Sequence, residues 1–189
     1  MNLIKKKGEL LISKAIFKIY SDASSFNNGY KNPDLPQAVA IGIVLTFNEK
    51  IIKKYSELFP DQNISFGELK AGIVAIKMVY DKILKLKTKI HKPYNIEIYS
   101  DSQFFIKGAS EWIYNWEKSN WCNYSGKEVA YKELWWQLLN QYIRDKDLNL
   151  NFIHVKGHTK NQDFNSQMNE LCDKLAKEEI KKWRLMKKL

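Results

Sequence analysis

Residues 16–22, Ile-Phe-Lys-Ile-Tyr-Ser-Asp, alternate apolar and polar side chains and end on the carboxylate of Asp22. This alternation predicts a strand that presents a reactive group at its end, before a polar loop. Residues 96–101, Ile-Glu-Ile-Tyr-Ser-Asp, repeat the pattern and end on Asp101. On neighbouring strands the two carboxylates would lie side by side and repel each other, unless a divalent metal ion bound through oxygen lay between them.

The rest of the chain predicts an α/β domain with a mixed five-stranded sheet flanked by helices. Apolar, β-branched runs follow the first strand and predict a three-stranded antiparallel meander, and later helical crossovers make the remaining strand pairs parallel. The predicted segments are strands over 38–47, 51–59, 96–101 and 148–155, and helices from Ser65 to before Pro93 and over 102–108, 127–144 and 166–186.

The composition indicates one folded domain with an anionic partner. A chain of 189 residues with 44% hydrophobic residues can bury a full core, which excludes a disordered protein. We expect a basic N-terminal arm over residues 1–14 and a single domain over 15–186. The net charge of +10 indicates a polyanion such as nucleic acid, with a general bias towards lysine as the alternative.

Cysteine usage and hydropathy give the expected compartment. Cys122 and Cys172, the two cysteines of the chain, are far apart and have no metal-ligand spacing, so we expect neither a disulfide framework nor a zinc site. No continuous apolar stretch of signal-peptide length precedes the first strand, and no segment approaches a membrane span. We therefore expect a soluble, cytoplasmic monomer without a membrane partner.

Two further acids lie at helical positions. Glu68 falls in the first turn of the first long helix, although residues 65–68, Ser-Phe-Gly-Glu, also match a capping box that needs no catalysis. Asp173 lies one turn after Asn169 on the last helix, where a solvated charge is the alternative. Four converging carboxylates would suit Mg²⁺ or Mn²⁺, and two such ions can clamp a phosphodiester.

Five blocks of the sequence resemble the type 1 ribonuclease H family, from about Phe17 to Ala176. They occur in this order: Tyr-Ser-Asp-Ala-Ser at 20–24, Glu-Leu-Lys-Ala at 68–71, Ser-Asp-Ser-Gln at 100–103, His-Val-Lys-Gly-His at 154–158 and Asn-Glu-Leu-Cys-Asp-Lys-Leu-Ala at 169–176.

The resemblance implies the ribonuclease H-like fold and an endonuclease that hydrolyses the RNA strand of RNA–DNA hybrids. The products would carry 5′-phosphate and 3′-hydroxyl ends, and two Mg²⁺ ions, replaceable by Mn²⁺, would assist. The resemblance implies that the metal ions are bound by Asp22, Glu68, Asp101 and Asp173.

The resemblance also implies substrate contacts, including a handle-like protrusion near residues 112–132. For the tryptophans of this segment, packing of the protrusion is the alternative. A Thr-Asn-Asn-like phosphate pocket of the family is replaced by Asn-Ile-Ser at 63–65. The substrate-contact candidates are Asn28, Asn63, Ser65, Gln103, Trp116, Lys118, Trp121, Lys127 and Asn169.

Two other functions fit parts of the same sequence. One is a metal-dependent nuclease of the same superfold that acts on DNA, against which the handle and Gln103 argue. The other is a non-catalytic nucleic-acid-binding module, against which the presence of all four acids argues.

His158 opens a polar stretch after Gly157, and the resemblance implies that it assists proton transfer or product release. A histidine titrates near neutral pH, but it cannot replace metal ions in stabilising the developing charge. His158→Ala should therefore lower kcat roughly 10- to 1000-fold with little change in KM. Steady-state kinetics against pH would test this, and either a complete loss of activity or no loss would refute the auxiliary role.

Overall fold

The computed structural model describes residues 17–85, 92–156 and 163–189, so the expected arm over 1–14 lies outside the described residues. A five-stranded sheet has the order β3-β2-β1-β4-β5. β1 pairs antiparallel with β2 and β2 with β3, while β1–β4 and β4–β5 are parallel, which confirms the predicted mixed sheet. The strands are β1 Phe17–Phe26, β2 Ala38–Phe47, β3 Lys50–Pro60, β4 Tyr94–Ser100 and β5 Leu148–His154.

Five α-helices flank this sheet within the described residues, two of them extended by π-helical turns. They are α1 Ile64–Lys85, α2 Gln103–Lys107, α3 Ile113–Lys118, α4 Lys132–Leu138 and α5 Phe164–Lys187, with the π-helical turns Gly108–Trp112 between α2 and α3 and Leu139–Ile143 after α4.

The predicted helix over 127–144 was wrong at its start, because α4 begins at Lys132. Tyr131 precedes it with φ of 59°, a left-handed conformation that interrupts a continuous helix. Residues before Tyr131 instead form a tight loop, in which Cys122 and Glu128 make an isolated antiparallel bridge.

The two long helices cover opposite faces of the sheet. Ile41, Ile43 and Leu45 of β2 are buried with apolar residues of α1, while the alternate residue Val44 packs with Cys172 of α5. Because successive strand side chains point to opposite faces, β2 is apolar on both sides and lies in the middle of the core.

Strand β1 does not end at Asp22, contrary to the prediction. It continues to Phe26 because β2 pairs with it along its whole length, to Phe26 opposite Ala38. The parallel pairing of β1 with β4 does stop early, at Tyr20 opposite Tyr99. Asp22 therefore lies just beyond the last parallel pair, and Asp101 follows the end of β4.

Gly42 brings α5 against the sheet beside Asp22. Gly42 pairs with Asp22 across the β1–β2 ladder, and a Cβ atom placed on it would lie 2.0 Å from the carbonyl oxygen of Cys172. A side chain at this position would push the helix backbone away. The residue after Cys172 is Asp173, so this contact sets how near its carboxylate comes to Asp22.

We expect Gly42→Ala to lower the free energy of unfolding by about 1–3 kcal/mol, because its methyl group would overlap the α5 backbone. Urea denaturation would measure the change. An unchanged stability would show that α5 can move away without cost.

Candidate active site

Asp22 is the centre of a group of interacting acids. Burial and the charges of Asp101, Asp173 and Glu68 together raise its pKa to about 8, although a hydrogen bond from the Ala23 N–H lowers it. That bond, from Ala23 N to Asp22 Oδ1, is 2.7 Å long. The structure therefore brings together the four acids that the sequence singled out.

Asp101 lies in a turn that two buried serines fix. The Ser102 N–H donates to Ser100 Oγ at 3.2 Å, and Ser102 Oγ accepts from the N–H of Phe105 at 3.1 Å. Ser102 is thus the N-cap of α2, where a hydroxyl satisfies an N–H that has no partner within the helix. The carboxylate of Asp101 therefore extends from a rigid strand-to-helix turn.

Glu68 does not take part in the capping box that residues 65–68 suggested. Helix α1 begins at Ile64, and Asn63 provides the cap: its Oδ1 accepts the N–H of Phe66 at 3.0 Å. The Glu68 carboxylate instead accepts a hydrogen bond from Ser102. Burial raises the pKa of Glu68, the Ser102 bond lowers it and Asp101 raises it.

Ser102 was absent from the predicted site residues. It holds Glu68 on one side and caps α2 beside Asp101 on the other. Ser102 could have been predicted from the sequence, because it lies inside the block Ser-Asp-Ser-Gln at 100–103. From that block, only Asp101 and Gln103 were predicted as site residues.

Asp173 and Asn169 lie on the face of α5 that turns towards the sheet. Asp173 Oδ2 forms an ion pair with Lys177 one turn later, at 2.6 Å. Asn169 is 4% exposed, and its Oδ1 is buried without a hydrogen-bond partner in the described structure. A buried carbonyl oxygen without a donor is costly, so this amide is a candidate to accept a bond from a ligand.

The donor set fits a hard divalent cation. Carboxylate oxygens are the ligands that Mg²⁺ and Mn²⁺ prefer. Over 17–85, 92–156 and 163–189, no Lys or Arg forms an ion pair with Asp22, Glu68 or Asp101. The same residues contain no group of three or more His, Cys, Asp or Glu side chains already arranged to hold an ion. The four acids therefore interact electrostatically but do not form a complete cage in this arrangement.

Two of the three candidates near the start of α1, Asn28 and Asn63, accept hydrogen bonds at this helix end. Asn28 Oδ1 accepts the N–H of Ile64 at 3.0 Å, and the hydroxyl of Tyr131 donates to Asn63 Oδ1 at 2.7 Å. The first loop and the start of α4 are thus both tied to this helix end. Ser65 is half-buried beside them.

The remaining contact candidates lie on α2 and in the segment 112–132. Gln103 is exposed in the first turn of α2, and Lys118 and Lys127 are exposed in that segment. Trp116 lines an open cavity of about 540 Å³ there, and its ring lies 5.2 Å from that of Trp135. Trp121 is only 7% exposed and packs in the core, as the packing alternative expects.

His158 lies outside the described residues, so its predicted role stays a prediction. The ring Nε2 of His154 lies 3.1 Å from the carbonyl oxygen of Asp101. Over 17–85, 92–156 and 163–189, no helix has the length and apolar character needed to cross a bilayer.

A mixed sheet of this order, with acids grouped beyond the parallel strand pair, defines an α/β domain of the ribonuclease H-like class. Solved structures agree with this fold. The foamy viral protease-reverse transcriptase in complex with an RNA/DNA hybrid aligns with a TM-score of 0.66 and 18% identity, over 89% of this chain and 20% of that longer chain. LC11-RNase H1 in complex with an RNA/DNA hybrid aligns with a TM-score of 0.54 and 18% identity, over 87% of this chain and 99% of that one.

Sequence comparison identifies the family. An RNase H family model matches residues 14–181. A ribonuclease H of Clostridium botulinum (strain Hall) is 34% identical over 161 residues, which are 85% of this chain and 92% of that protein. A ribonuclease HI of Haemophilus ducreyi is 32% identical over 162 residues, which are 84% and 86% of the two chains. The chain belongs to the RNase H family, which confirms the predicted family and enzyme class.

We expect Asp22→Asn to stabilise the protein in EDTA. The pKa of Asp22 rises from 3.8 to about 8 on folding. The native state therefore holds a proton that the unfolded chain releases, and the cost of ionising Asp22 grows from about pH 4 to about pH 8. An uncharged amide removes that cost. The gain should be smaller at pH 5 than at pH 9, where the rise in pKa corresponds to several kcal/mol, or roughly 10 °C in Tm.

Thermal unfolding at both pH values would measure this, with Asp81→Asn as the matched control. Asp81 is an exposed acid paired with Lys77, so its replacement should change Tm little at either pH. An equal gain at pH 5 and pH 9 would contradict the repulsion argument.

Proposed function

We propose that this protein hydrolyses the RNA strand of RNA–DNA hybrids and leaves 5′-phosphate and 3′-hydroxyl ends. The observation that carries the proposal is the interaction of three acids with Asp22, which together with burial raises its pKa to about 8. A divalent cation bound between these carboxylates would favour their charged forms, and two such cations can promote the hydrolysis of a phosphodiester. Membership of the RNase H family and the hybrids bound by two fold relatives support the choice of substrate.

Asp22, Glu68, Asp101 and Asp173 would hold Mg²⁺, with Mn²⁺ as a substitute. When bound, two such ions supply an activated water and stabilise the leaving oxygen. The protein's own part is positioning. Ser102 orients the Glu68 carboxylate, and Lys177 neutralises Asp173 in the arrangement seen here.

Substrate would lie across the acids, between the start of α1 and the protrusion. Asn28, Asn63 and Ser65 would contact it at the helix start and Gln103 on α2, with Asn169 as an acceptor near the acids. Lys118 and Lys127 are exposed and would contact phosphate groups of the substrate. Trp116 would contact the sugar–phosphate backbone of the nucleic acid. Phosphate contacts of this kind make binding steeply salt-dependent.

We also propose that residues 15–186 act as one domain, as a monomer in the cytoplasm. Cys122 and Cys172 are free thiols, which suits a reducing compartment. Light scattering at micromolar concentration would test the monomer, and a mass near 44 kDa, about twice 22.3 kDa, would reject it.

The test is cleavage of labelled RNA–DNA, RNA–RNA and DNA–DNA duplexes with Mg²⁺. We expect the RNA of the hybrid alone to be cut. Asp101→Asn should reduce the rate by at least 100-fold, because one ligand to the reacting centre is lost. Asp81→Asn, the same replacement at an exposed ion pair, should retain the rate.

The two alternatives predict other results. Cleavage of DNA–DNA would favour the DNA-acting nuclease of the same superfold. Hybrid binding without cleavage of any duplex would favour the non-catalytic module.

A further inference from the structure

A small groove lies at the end of α1 opposite the acids. Its volume is about 150 Å³, and its apolar lining comes from Leu45, Ile52 and Met78. Lys82, on its rim, lies 14 positions after Glu68 along the same helix, which corresponds to about 21 Å at 1.5 Å per residue. The groove is therefore a separate surface from the candidate active site.

A β-bulge in edge strand β3 shapes this groove. Lys53 pairs with Leu45 and Ile51 with Thr46, so Ile52 is an extra residue between them. The bulge breaks the strand alternation and leaves both Ile51 and Ile52 42% exposed. Bulges at sheet edges redirect side chains, and adjacent exposed apolar groups bordered by charge are typical of interaction sites.

The rim of the groove is positively charged. Lys53, Lys82 and Lys85 line it, are exposed, and take part in no ion pair within the described part of the chain. The lining acid Asp81 is neutralised by Lys77, at 2.6 Å. The groove thus presents three unpaired cations around an apolar floor.

Helix-dipole compensation accounts for only part of this arrangement. Lys82 and Lys85 lie in the last turn of α1, where cations are favourable in any helix. That effect does not explain Lys53, which belongs to β3, nor the two exposed isoleucines on the same strand. The strand and the helix contribute independently to one basic and apolar surface.

We propose that this groove binds a short acidic protein segment that carries one bulky apolar side chain. A cavity of about 150 Å³ can accept a benzene-sized group, so it suits one phenyl or branched aliphatic side chain. Carboxylates on both sides of that anchor would pair with the three lysines. A nucleic-acid backbone would satisfy the lysines but leave the apolar floor uncovered, so the chemistry favours a peptide.

The test is fluorescence anisotropy of the labelled peptide Glu-Asp-Glu-Phe-Asp-Glu with the full chain at 0.15 M salt. We expect saturable binding that Lys82→Glu weakens at least tenfold. Lys181→Glu is the matched control: it makes the same charge change at an exposed position of α5 and should weaken binding less than twofold. Replacing Phe by Ser in the peptide, or Ile52→Ser in the protein, should weaken binding about tenfold through loss of the apolar contact.

Several results would overturn the proposal. If Lys82→Glu and Lys181→Glu weaken peptide binding equally, the binding is general charge attraction. Peptide binding that does not change when Phe is replaced by Ser would show the same. Lys82-dependent binding of a single-stranded oligodeoxynucleotide that displaces the peptide would assign the groove to nucleic acid. A dimer that Lys82→Glu dissociates would assign it to a second copy of the chain. Hybrid cleavage by Lys82→Glu should remain within twofold of the unaltered protein, which keeps this test independent of the proposed activity.

Discussion

The contact between α5 and strand β2 at Gly42 is the constraint on which the candidate site depends. Gly42 has Asp22 as its partner on β1 and the carbonyl of Cys172 against its own Cα. One missing side chain therefore fixes the distance between a sheet acid and the helix that carries Asp173. Close packing in a protein interior transmits small shifts, so this distance has little freedom.

The acids oppose the stability that this packing provides. Bringing Asp22 into a buried position near three other carboxylates raises its pKa to about 8, which means that its charged form is disfavoured in the folded protein. A chain selected only for stability would not retain this arrangement. The surrounding groups reduce the cost in part: Ala23 donates to Asp22, Ser102 donates to Glu68 and Lys177 pairs with Asp173.

Hydrophobic patterning predicted the mixed five-stranded sheet and the two long helices, because burial imposes a period of two on strands and of about 3.6 on helices. Local interactions that cross between elements were not predictable in the same way. β1 passes Asp22 because β2 continues beside it, and Asn63 caps α1 because Tyr131 and Phe66 donate to the same oxygen. Strand β2 and Tyr131 both lie far along the chain from the residue they affect, whereas Phe66 is only three residues from Asn63.

The same limit explains why Ser102 and the basic groove were not predicted. Ser102 contributes to the site by its interaction with Glu68, and the rest of helix α1 and strand β4 separate the two residues along the chain. The basic groove depends on a bulge that aligns Ile52 with the end of α1, and a bulge leaves no mark on a β-branched sequence. The four acids were predicted because each falls in one of the five blocks that resemble the family.

Paramagnetic broadening by Mn²⁺ tests the central claim most directly, because it locates a bound cation without requiring turnover. In NMR spectra of the backbone amides, substoichiometric Mn²⁺ should first remove the signals of residues around Asp22, Glu68, Asp101 and Asp173. Signals around Lys82 and Lys127 should persist at the same ratio. Broadening centred away from the four acids, or spread evenly over the protein, would contradict a cation site at this edge of the sheet.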